Sequence, residues 1–307
     1  VVGIYDCLET GEYYGQYIMP FFGSDDMFMV RGVGGDGTRR DLSHYMYTSS
    51  NTWIASVWEF AYQGLDRANL AIASIEQMEG YEGNTALQEL VGQAKFLRAF
   101  LAFDLVRFFG DVPFSVDYTS GYEQTSKPRM DRELIYDQII DDLNFAKEHL
   151  YVGSAVASSE IPCKGAARAL LMRVYLQRAG YSLSSTTGKL TRPDDTTRKS
   201  YFEAVIREWE TFKAEGYHNF YGGGYEQLFK NYSQLILNNQ ESLWEIAFEP
   251  NQGQTDNSGM WATYNGPIVD APGSYSGTSS YMGRANAFFT VLPYWKSFYE
   301  SNADGSQ

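Results

Sequence analysis

The chain has 307 residues, of which 44% are hydrophobic and 20% charged, a composition typical of a folded protein and unlike that of a disordered one. Its formal net charge of -14 would repel the phosphate backbone of DNA or RNA, so no nucleic-acid partner is predicted. No apolar run reaches the roughly 18 residues that a membrane-spanning helix needs.

The first 50 residues are predicted to be rich in loops, with one helix over residues 4–19. Within this region, the glycine cluster at residues 32–37 has the glycine spacing of a dinucleotide-binding loop. That fingerprint requires a strand before the glycines and an apolar helix directly after them, whereas residues 38–44 show no apolar periodicity. The cluster is therefore interpreted as a surface loop and not as a phosphate-binding turn.

Five amphipathic helices are predicted next, from apolar residues that recur every three or four positions. The first begins at Asn51, a favourable N-cap residue, and runs through residue 73 or beyond. The second opens with Thr85 and Gln88 at the spacing of a capping box and stops at Gly110. The remaining three are predicted at residues 132–150, 164–179 and 198–214.

These helices predict a mainly α protein, because consecutive amphipathic helices joined by short loops usually pack as antiparallel pairs. Their pattern is similar to a degraded tetratricopeptide repeat with an irregular period, which favours a repeat-like superhelix. Two portions are predicted: a helical domain at residues 1–215 and a loop-rich portion at residues 216–307. Within the second, only residues 243–248 indicate a short strand or helix.

Several segments, taken together, resemble the SusD/RagB family of outer-membrane nutrient-binding lipoproteins of Bacteroidetes. Each segment alone is merely helical and apolar, whereas their order and spacing extend through most of the chain. They are WEFAYQGLDRAN at 58–69, GQAKFLRAF at 92–100, RFFGDVPF at 107–114, YDQIIDDL at 136–143, AARALLMRVYL at 166–176 and NQESLWEI at 239–246. The resemblance implies a SusD-like fold, in which a tetratricopeptide-like helical scaffold carries an irregular, loop-rich portion.

The resemblance also implies a function. Family members are surface lipoproteins that capture oligosaccharide and pass it to a SusC-like TonB-dependent transporter, and a lipid anchor holds them to the outer membrane. This chain is expected to be a fragment, because it has no N-terminal lipobox cysteine and ends where the family usually continues. Two alternatives stay open: a peptide-binding member of the same family, and a helical-repeat adaptor that binds only proteins.

No catalytic constellation is predicted, so the chain is interpreted as a non-enzyme. Its three histidines are scattered, and no serine lies in a nucleophile-elbow sequence. Asp141 and Asp142 lie about 100° apart on a helix and so do not converge as an acid–base pair. We expect Asp141 to be solvated and Asp142 to satisfy a helix end or a loop. Arg98 is expected to play a structural role, with carboxylate or carbonyl partners if it is buried.

No cofactor or metal is predicted. The acidic pairs at residues 25–26 and 194–195 lack the ordered ligand spacing of a calcium site, which leaves calcium binding open. Cys7 and Cys163 are interpreted as free thiols, at least one of them buried, because two cysteines do not form a disulfide framework.

Candidate ligand contacts are placed on the loops, where polar groups and aromatic platforms meet. Aromatic residues make up 16% of the chain, and a flat ring beside polar groups complements a sugar. The first set precedes the first long helix, where the resemblance implies an Asp, an Arg, an Asn and an aromatic residue around a sugar, and Trp53 is expected to meet solvent there. This set is Asp36, Arg39, Arg40, Tyr45, Asn51 and Trp53, and the second, in the late loops, is Trp261, Tyr264, Tyr275 and Tyr281. A third, poorer set is Tyr217, Tyr221 and Tyr225.

Overall fold

A computed structural model describes residues 1–22, 27–29, 37–234, 236–238, 240–248, 259–261, 265, 289–292 and 294. Helix dominates this part of the chain, which confirms the prediction of a mainly α protein. Its α-helices are α1 (Val2–Leu8), α2 (Gly37–Ser43), α3 (Thr52–Glu76), α4 (Thr85–Phe109), α5 (Arg132–His149), α6 (Lys164–Arg178), α7 (Asp195–Glu215) and α8 (Tyr225–Ser233).

Two short antiparallel ladders complete the described secondary structure. Strand β1 (Met27–Met29) pairs with β4 (Phe289–Val291), with Phe28 opposite Thr290. Strand β2 (Ser182–Leu183) pairs with β3 (Leu190–Thr191). Residues 243–248, predicted to be a short strand or helix, form neither.

The chain divides into two compact units, which we describe separately. One consists of residues 1–6 and 61–247, and the other of residues 7–60 and 248–307. The predicted boundary between residues 215 and 216 stays a prediction.

In the first unit, helices pack in chain order: α4 on α5, α5 on α6, and α6 on α7. The apolar stripes predicted from sequence form this core. Leu97, Leu101 and Leu105 on α4 are buried, as are Ile135, Ile139 and Leu143 on α5 and Leu171 and Val174 on α6. Sequential packing of neighbouring helices is the arrangement expected of a helical-repeat scaffold.

A buried polar network joins α3, α4 and α5. Arg98 donates two hydrogen bonds to Asp142, from Nε to Oδ2 at 2.7 Å and from Nη2 to Oδ1 at 2.6 Å. Its Nη1 donates to Oδ1 of Asn69 at 2.9 Å. The structural role predicted for Arg98 is confirmed, whereas the expectation that Asp142 satisfies a helix end or a loop is wrong. Burial raises the pKa of Asp142, and the guanidinium of Arg98 opposes this rise.

Helix termini explain most of the agreement between predicted and observed helix bounds. Asn51 caps α3 as predicted, because its Oδ1 accepts from the backbone N–H groups of Trp53 and Ile54. The predicted capping box on α4 is wrong by one residue: Asn84 is the N-cap, and its side chain accepts from the N–H groups of residues 86 and 87. Asp194 caps α7 in the same way, so this helix begins three residues earlier than predicted.

The N-terminal region departs from the predicted helix over residues 4–19. Helix α1 ends at Leu8, and a single π turn, Gly11–Gly15, follows. Tyr13 within that turn has φ -128° and ψ -109°. These angles lie outside the helical region, so the helix does not continue through Tyr13. Gly15 permits the sharp turn, because a Cβ there would lie 2.7 Å from the carbonyl oxygen of Thr10.

Helices α2 and α8 are further elements that apolar periodicity did not predict. Residues 32–36 of the glycine cluster lie outside the described residues.

His218 packs between the start of α6 and the end of α7. The ring of His218 stacks on Phe212, with centroids 5.4 Å apart and planes 4° apart. Its Nε2 lies 3.5 Å from Sγ of Cys163, and its Nδ1 lies 3.2 Å from the carbonyl oxygen of Gln240. Gly165 leaves room for this ring, because a Cβ there would lie 2.5 Å from His218 Cδ2.

Both cysteines are buried thiols outside any disulfide, as predicted. Burial raises the pKa of the Cys163 thiol, which favours its neutral form. None of the described helices combines the length and the apolar character needed to cross a bilayer.

Candidate functional site

The structure describes six of the ten predicted ligand contacts. Arg39, Arg40, Tyr45, Asn51, Trp53 and Trp261 all belong to the unit formed by residues 7–60 and 248–307. Asp36, Tyr264, Tyr275 and Tyr281 lie outside the described residues.

Trp53 is buried, which corrects the expectation that it meets solvent. Its side chain is 7% exposed, and its ring stacks on that of Tyr17 with centroids 4.1 Å apart and planes 7° apart. The Arg39 guanidinium lies 5.8 Å from the Trp53 ring centroid, and Arg39 is buried as well. Both residues therefore stabilise the start of α3 in this structure. The ligand-binding roles predicted for them stay predictions.

The burial of Trp53 has a signal in the sequence. Trp53 begins a series of residues four positions apart on α3, and its further members Val57, Ala61 and Leu65 are all buried. This spacing is that of an apolar stripe along one face of a helix. The series through Val57, Ala61 and Leu65, extended back by one turn, reaches Trp53 and places it on the buried face.

Asn51 and Trp261 are also engaged with the protein. Asn51 is buried, and its side-chain oxygen serves the cap of α3. Trp261 is half-buried; its indole N–H donates to the carbonyl oxygen of Tyr14 at 2.5 Å, and its ring lies 5.8 Å from that of Phe22. The backbone N–H of Met260 donates to the carbonyl oxygen of Gly15 at 2.8 Å. These bonds anchor Trp261 to the segment that follows α1.

Tyr45 has an unusual backbone conformation. Its φ is 57°, and it is the one non-glycine residue with positive φ in the part of the chain that the structure describes. The backbone N–H of Tyr45 donates to the carbonyl oxygen of Leu42 at 3.1 Å, and that of Met46 donates to the carbonyl oxygen of Asp41 at 2.8 Å. These two bonds form a Schellman motif that ends α2, with Tyr45 at the position usually taken by glycine.

The tyrosine at this position costs the fold about 1 kcal/mol relative to glycine, because its Cβ crowds the backbone in the left-handed region. Its side chain does not repay that cost by packing, since it is 72% exposed. An exposed aromatic residue held in a disfavoured conformation is typical of a position selected for contact with something outside the fold.

The segment around Tyr45 is exposed throughout. All of residues 44–50, here called the 44–50 loop, are exposed, and they join α2 to α3. Met46 is 72% exposed and Tyr47 is 51% exposed, and Arg40 on α2 is exposed as well. The loop thus presents two tyrosine rings and a thioether beside hydroxyl groups, of which those of Thr48 and Ser50 are hydrogen-bonded to each other at 2.8 Å. The sequence set omitted Tyr47, although its spacing of two from Tyr45 in a polar loop marks it.

The third tyrosine set is dispersed. Tyr217 packs edge-on against His218, and the hydroxyl of Tyr221 accepts from Asn231 at 3.0 Å. Tyr225 alone of these three is strongly exposed, at 81%, and it begins α8.

Among the described residues, no group of three or more His, Cys, Asp or Glu side chains is arranged to hold a metal ion. Asp194, one of the acidic candidates, is engaged as the N-cap of α7, where hydrogen bonds from Thr197 lower the pKa of its carboxyl group. The pair at residues 25–26 lies outside the described residues.

Comparison with known proteins identifies the class. A SusD-like family described as "Starch-binding associating with outer membrane" matches residues 24–176, about half of the chain. SusD-like protein P2 of Formosa agariphila is 29% identical over 183 residues, which cover 58% of this chain and 35% of that protein. A SusD homologue from Bacteroides thetaiotaomicron is 25% identical with a TM-score of 0.78, over 94% of this chain and 52% of that chain. A laminarin-binding SusD-like protein is 21% identical with a TM-score of 0.68, over 95% of this chain and 61% of that chain.

The chain belongs to the SusD family. The predicted SusD-like fold, with its tetratricopeptide-like helical scaffold, is confirmed. The chain spans 35% of the Formosa agariphila relative and 52% of the Bacteroides thetaiotaomicron chain that it matches.

Proposed function

We propose that this protein binds glycans and that the 44–50 loop contributes a contact surface for the sugar. The observation that carries the proposal is Tyr45, which is exposed and held at positive φ by the Schellman motif at the end of α2. A tyrosine ring offers an apolar face to the C–H face of a sugar, and its hydroxyl offers a hydrogen bond to the sugar rim. The family description names starch binding, and one structural relative is named for binding laminarin.

The wider role that we propose is nutrient capture at the cell surface during polysaccharide utilisation. The protein would be held to the outer membrane by a lipid anchor and would pass oligosaccharide to a SusC-like TonB-dependent transporter. The family description, association with the outer membrane, supports the location. We propose that the protein acts by binding and not by catalysis.

The test uses Tyr45→Gly. This substitution removes the ring and also the steric strain that a Cβ causes at positive φ. We expect Tyr45→Gly to weaken glycan binding by about 1–3 kcal/mol, the value of a lost ring contact. Its free energy of unfolding should be equal to that of the wild type or higher by up to about 1 kcal/mol, because glycine adopts positive φ without a Cβ clash. Native gels that contain soluble starch or laminarin measure binding, and urea unfolding measures stability.

Two matched variants complete this test. Tyr45→Phe keeps the ring and should retain most of the retardation in the gel. Tyr122→Ala removes a tyrosine that is 91% exposed on the other unit and should leave the retardation unchanged. If Tyr45→Gly were retarded as strongly as the wild type, the 44–50 loop would not be the contact surface.

Peptide binding is the second candidate, and the net charge of -14 is the observation that favours it. An acidic protein attracts basic peptides, and salt weakens such binding. Capture of basic peptides from a protein digest, together with no retardation by any glycan, would favour this candidate over the first.

A further inference from the structure

Helix α8 exposes its aromatic side chains to solvent. Tyr225, Phe229 and Tyr232 lie at positions i, i+4 and i+7, and they are 81%, 54% and 37% exposed. A surface helix normally turns its apolar stripe to the core and its polar residues to water. Here three rings share an exposed stripe, which we call the α8 platform.

The face of α8 that flanks the ring stripe is anchored in its own unit. Leu228 and Asn231 are buried. The side chain of Asn231 donates to the hydroxyl of Tyr221 at 3.0 Å and accepts from Gln227 at 2.8 Å. The helix therefore has a fixed orientation, and the exposure of its rings follows from this anchoring. Exposed aromatic clusters of this kind mark interaction surfaces.

The N-terminal end of the platform is a shallow and open part of the surface. It is lined by Tyr225, Glu226, Phe229 and Lys230, all on α8. The rings of Tyr225 and Phe229 are adjacent there, with centroids 4.8 Å apart and planes tilted by 54°. Three rings on a short helix are too few for a standard protein interface, whereas two adjacent exposed rings suffice to pack against one small ligand.

The charges beside the rings indicate a neutral ligand. Glu226 and Lys230 lie one turn apart and form an ion pair at 2.5 Å, so their charges cancel. Both side chains are largely exposed, and they still offer acceptor and donor atoms to a hydroxylated ligand. Two aromatic rings beside paired polar groups match a molecule that has an apolar face, a rim of hydroxyl groups and no net charge.

We infer that the α8 platform is a second carbohydrate-binding site, in which a neutral sugar ring packs on Tyr225 and Phe229 and hydrogen-bonds to Glu226 and Lys230. This inference rests on the proposed function, because it assigns the same class of ligand. It adds a site on the other unit of the chain, which consists of residues 1–6 and 61–247.

The test measures retardation of the whole chain in gels that contain starch or laminarin, for the wild type, Tyr45→Gly, Phe229→Ala and the double variant. We expect Phe229→Ala to weaken binding about fivefold to tenfold, Tyr45→Gly to weaken it at least fivefold, and the double variant to migrate as it does without polysaccharide. Phe202→Ala, which removes an exposed phenylalanine from α7, is the control and should migrate as the wild type does. Tyr225→Ala provides a second probe at a highly exposed position, where loss of folding is not expected.

The outcomes separate this inference from the proposed function. If Phe229→Ala and Tyr225→Ala both migrated as the wild type does while Tyr45→Gly lost binding, the α8 site would be overturned and the proposed function would stand. If the α8 variants lost binding and Tyr45→Gly did not, the α8 site would stand and the role of the 44–50 loop would fall. If Phe229→Ala changed sedimentation at high concentration but not retardation, the platform would be a self-association surface, and the inference would be wrong.

Discussion

Replacing Arg98 by Met is expected to lower the free energy of unfolding by about 3–5 kcal/mol. The substitution fills a similar volume but leaves the Asp142 carboxylate, which is 2% exposed, without its guanidinium partner. It also removes the hydrogen bond from Arg98 to Asn69, which ties α3 to α4. A buried carboxylate without its cation carries a desolvation cost that the remaining bond from Gln138, at 3.0 Å, does not offset. Urea unfolding followed by circular dichroism measures the loss.

Two further variants show whether the cost comes from the uncompensated charge. Arg98→Met combined with Asp142→Leu should recover most of the stability, because apolar residues of similar volume replace a buried pair without a large penalty. Lys199→Met, which breaks an exposed pair of 3.9 Å with Glu203, should change stability by less than about 0.5 kcal/mol. If Arg98→Met lowered the free energy of unfolding by less than about 1 kcal/mol, the buried network would not be a major source of stability.

Gly165→Ala is the second large effect that we expect, with a loss of about 1–3 kcal/mol from overpacking. The new Cβ would overlap Nε2 and Cδ2 of His218 and lie 3.3 Å from Cε2 of Phe212. His218 cannot move aside easily, because its ring stacks on Phe212 and its Nδ1 faces the carbonyl oxygen of Gln240. Thermal unfolding followed by calorimetry would measure the loss.

The control is Gly222→Ala, since a Cβ at Gly222 meets no atom within 4 Å. This variant should stay within about 0.5 kcal/mol of the wild type. Combining Gly165→Ala with His218→Ala should cost less than the sum of the two single substitutions, because the clashing ring is gone. An additive result would show that His218 is not what confines Gly165.

Local sequence signals predicted the helical frame well. Asn51 and Asp131 are N-cap residues, and their side chains accept hydrogen bonds from the first turns of α3 and α5. Gly110 follows α4 with φ 72°, a conformation that glycine adopts readily. The apolar stripes on α4 and α5 were long enough to identify the buried faces without any tertiary information. The order of these segments also carried the family resemblance, which the comparisons confirmed.

Tertiary partners were harder to predict. The neighbours Asp141 and Asp142 look equivalent in sequence, yet Asp142 is buried with Arg98 and Asp141 is exposed. Their difference depends on how α5 is rotated about its axis against α4, and only the packing of both helices decides that rotation. Trp53 was misplaced although the spacing of Val57, Ala61 and Leu65 reaches it, whereas Tyr17, which covers it, lies in a turn that no periodicity describes.

The candidate site could be predicted only in part. Tyr45 was singled out as an aromatic residue in a polar loop, but its positive φ depends on how α2 ends, and α2 itself was not predicted. The α8 platform was missed, although Tyr225 was noted, because three exposed rings on a helix have the same periodicity as three buried ones. Periodicity identifies a stripe and does not say which side of the helix faces the core.

Calorimetric titration of the wild-type chain with oligosaccharides from starch and from laminarin tests the central claim most directly. We predict saturable binding of at least one of these glycans, with affinity that falls in Tyr45→Gly although the folded state is retained. Absence of saturable binding across a broad panel of neutral glycans, by a chain shown to be folded, would contradict the claim that this protein binds glycans.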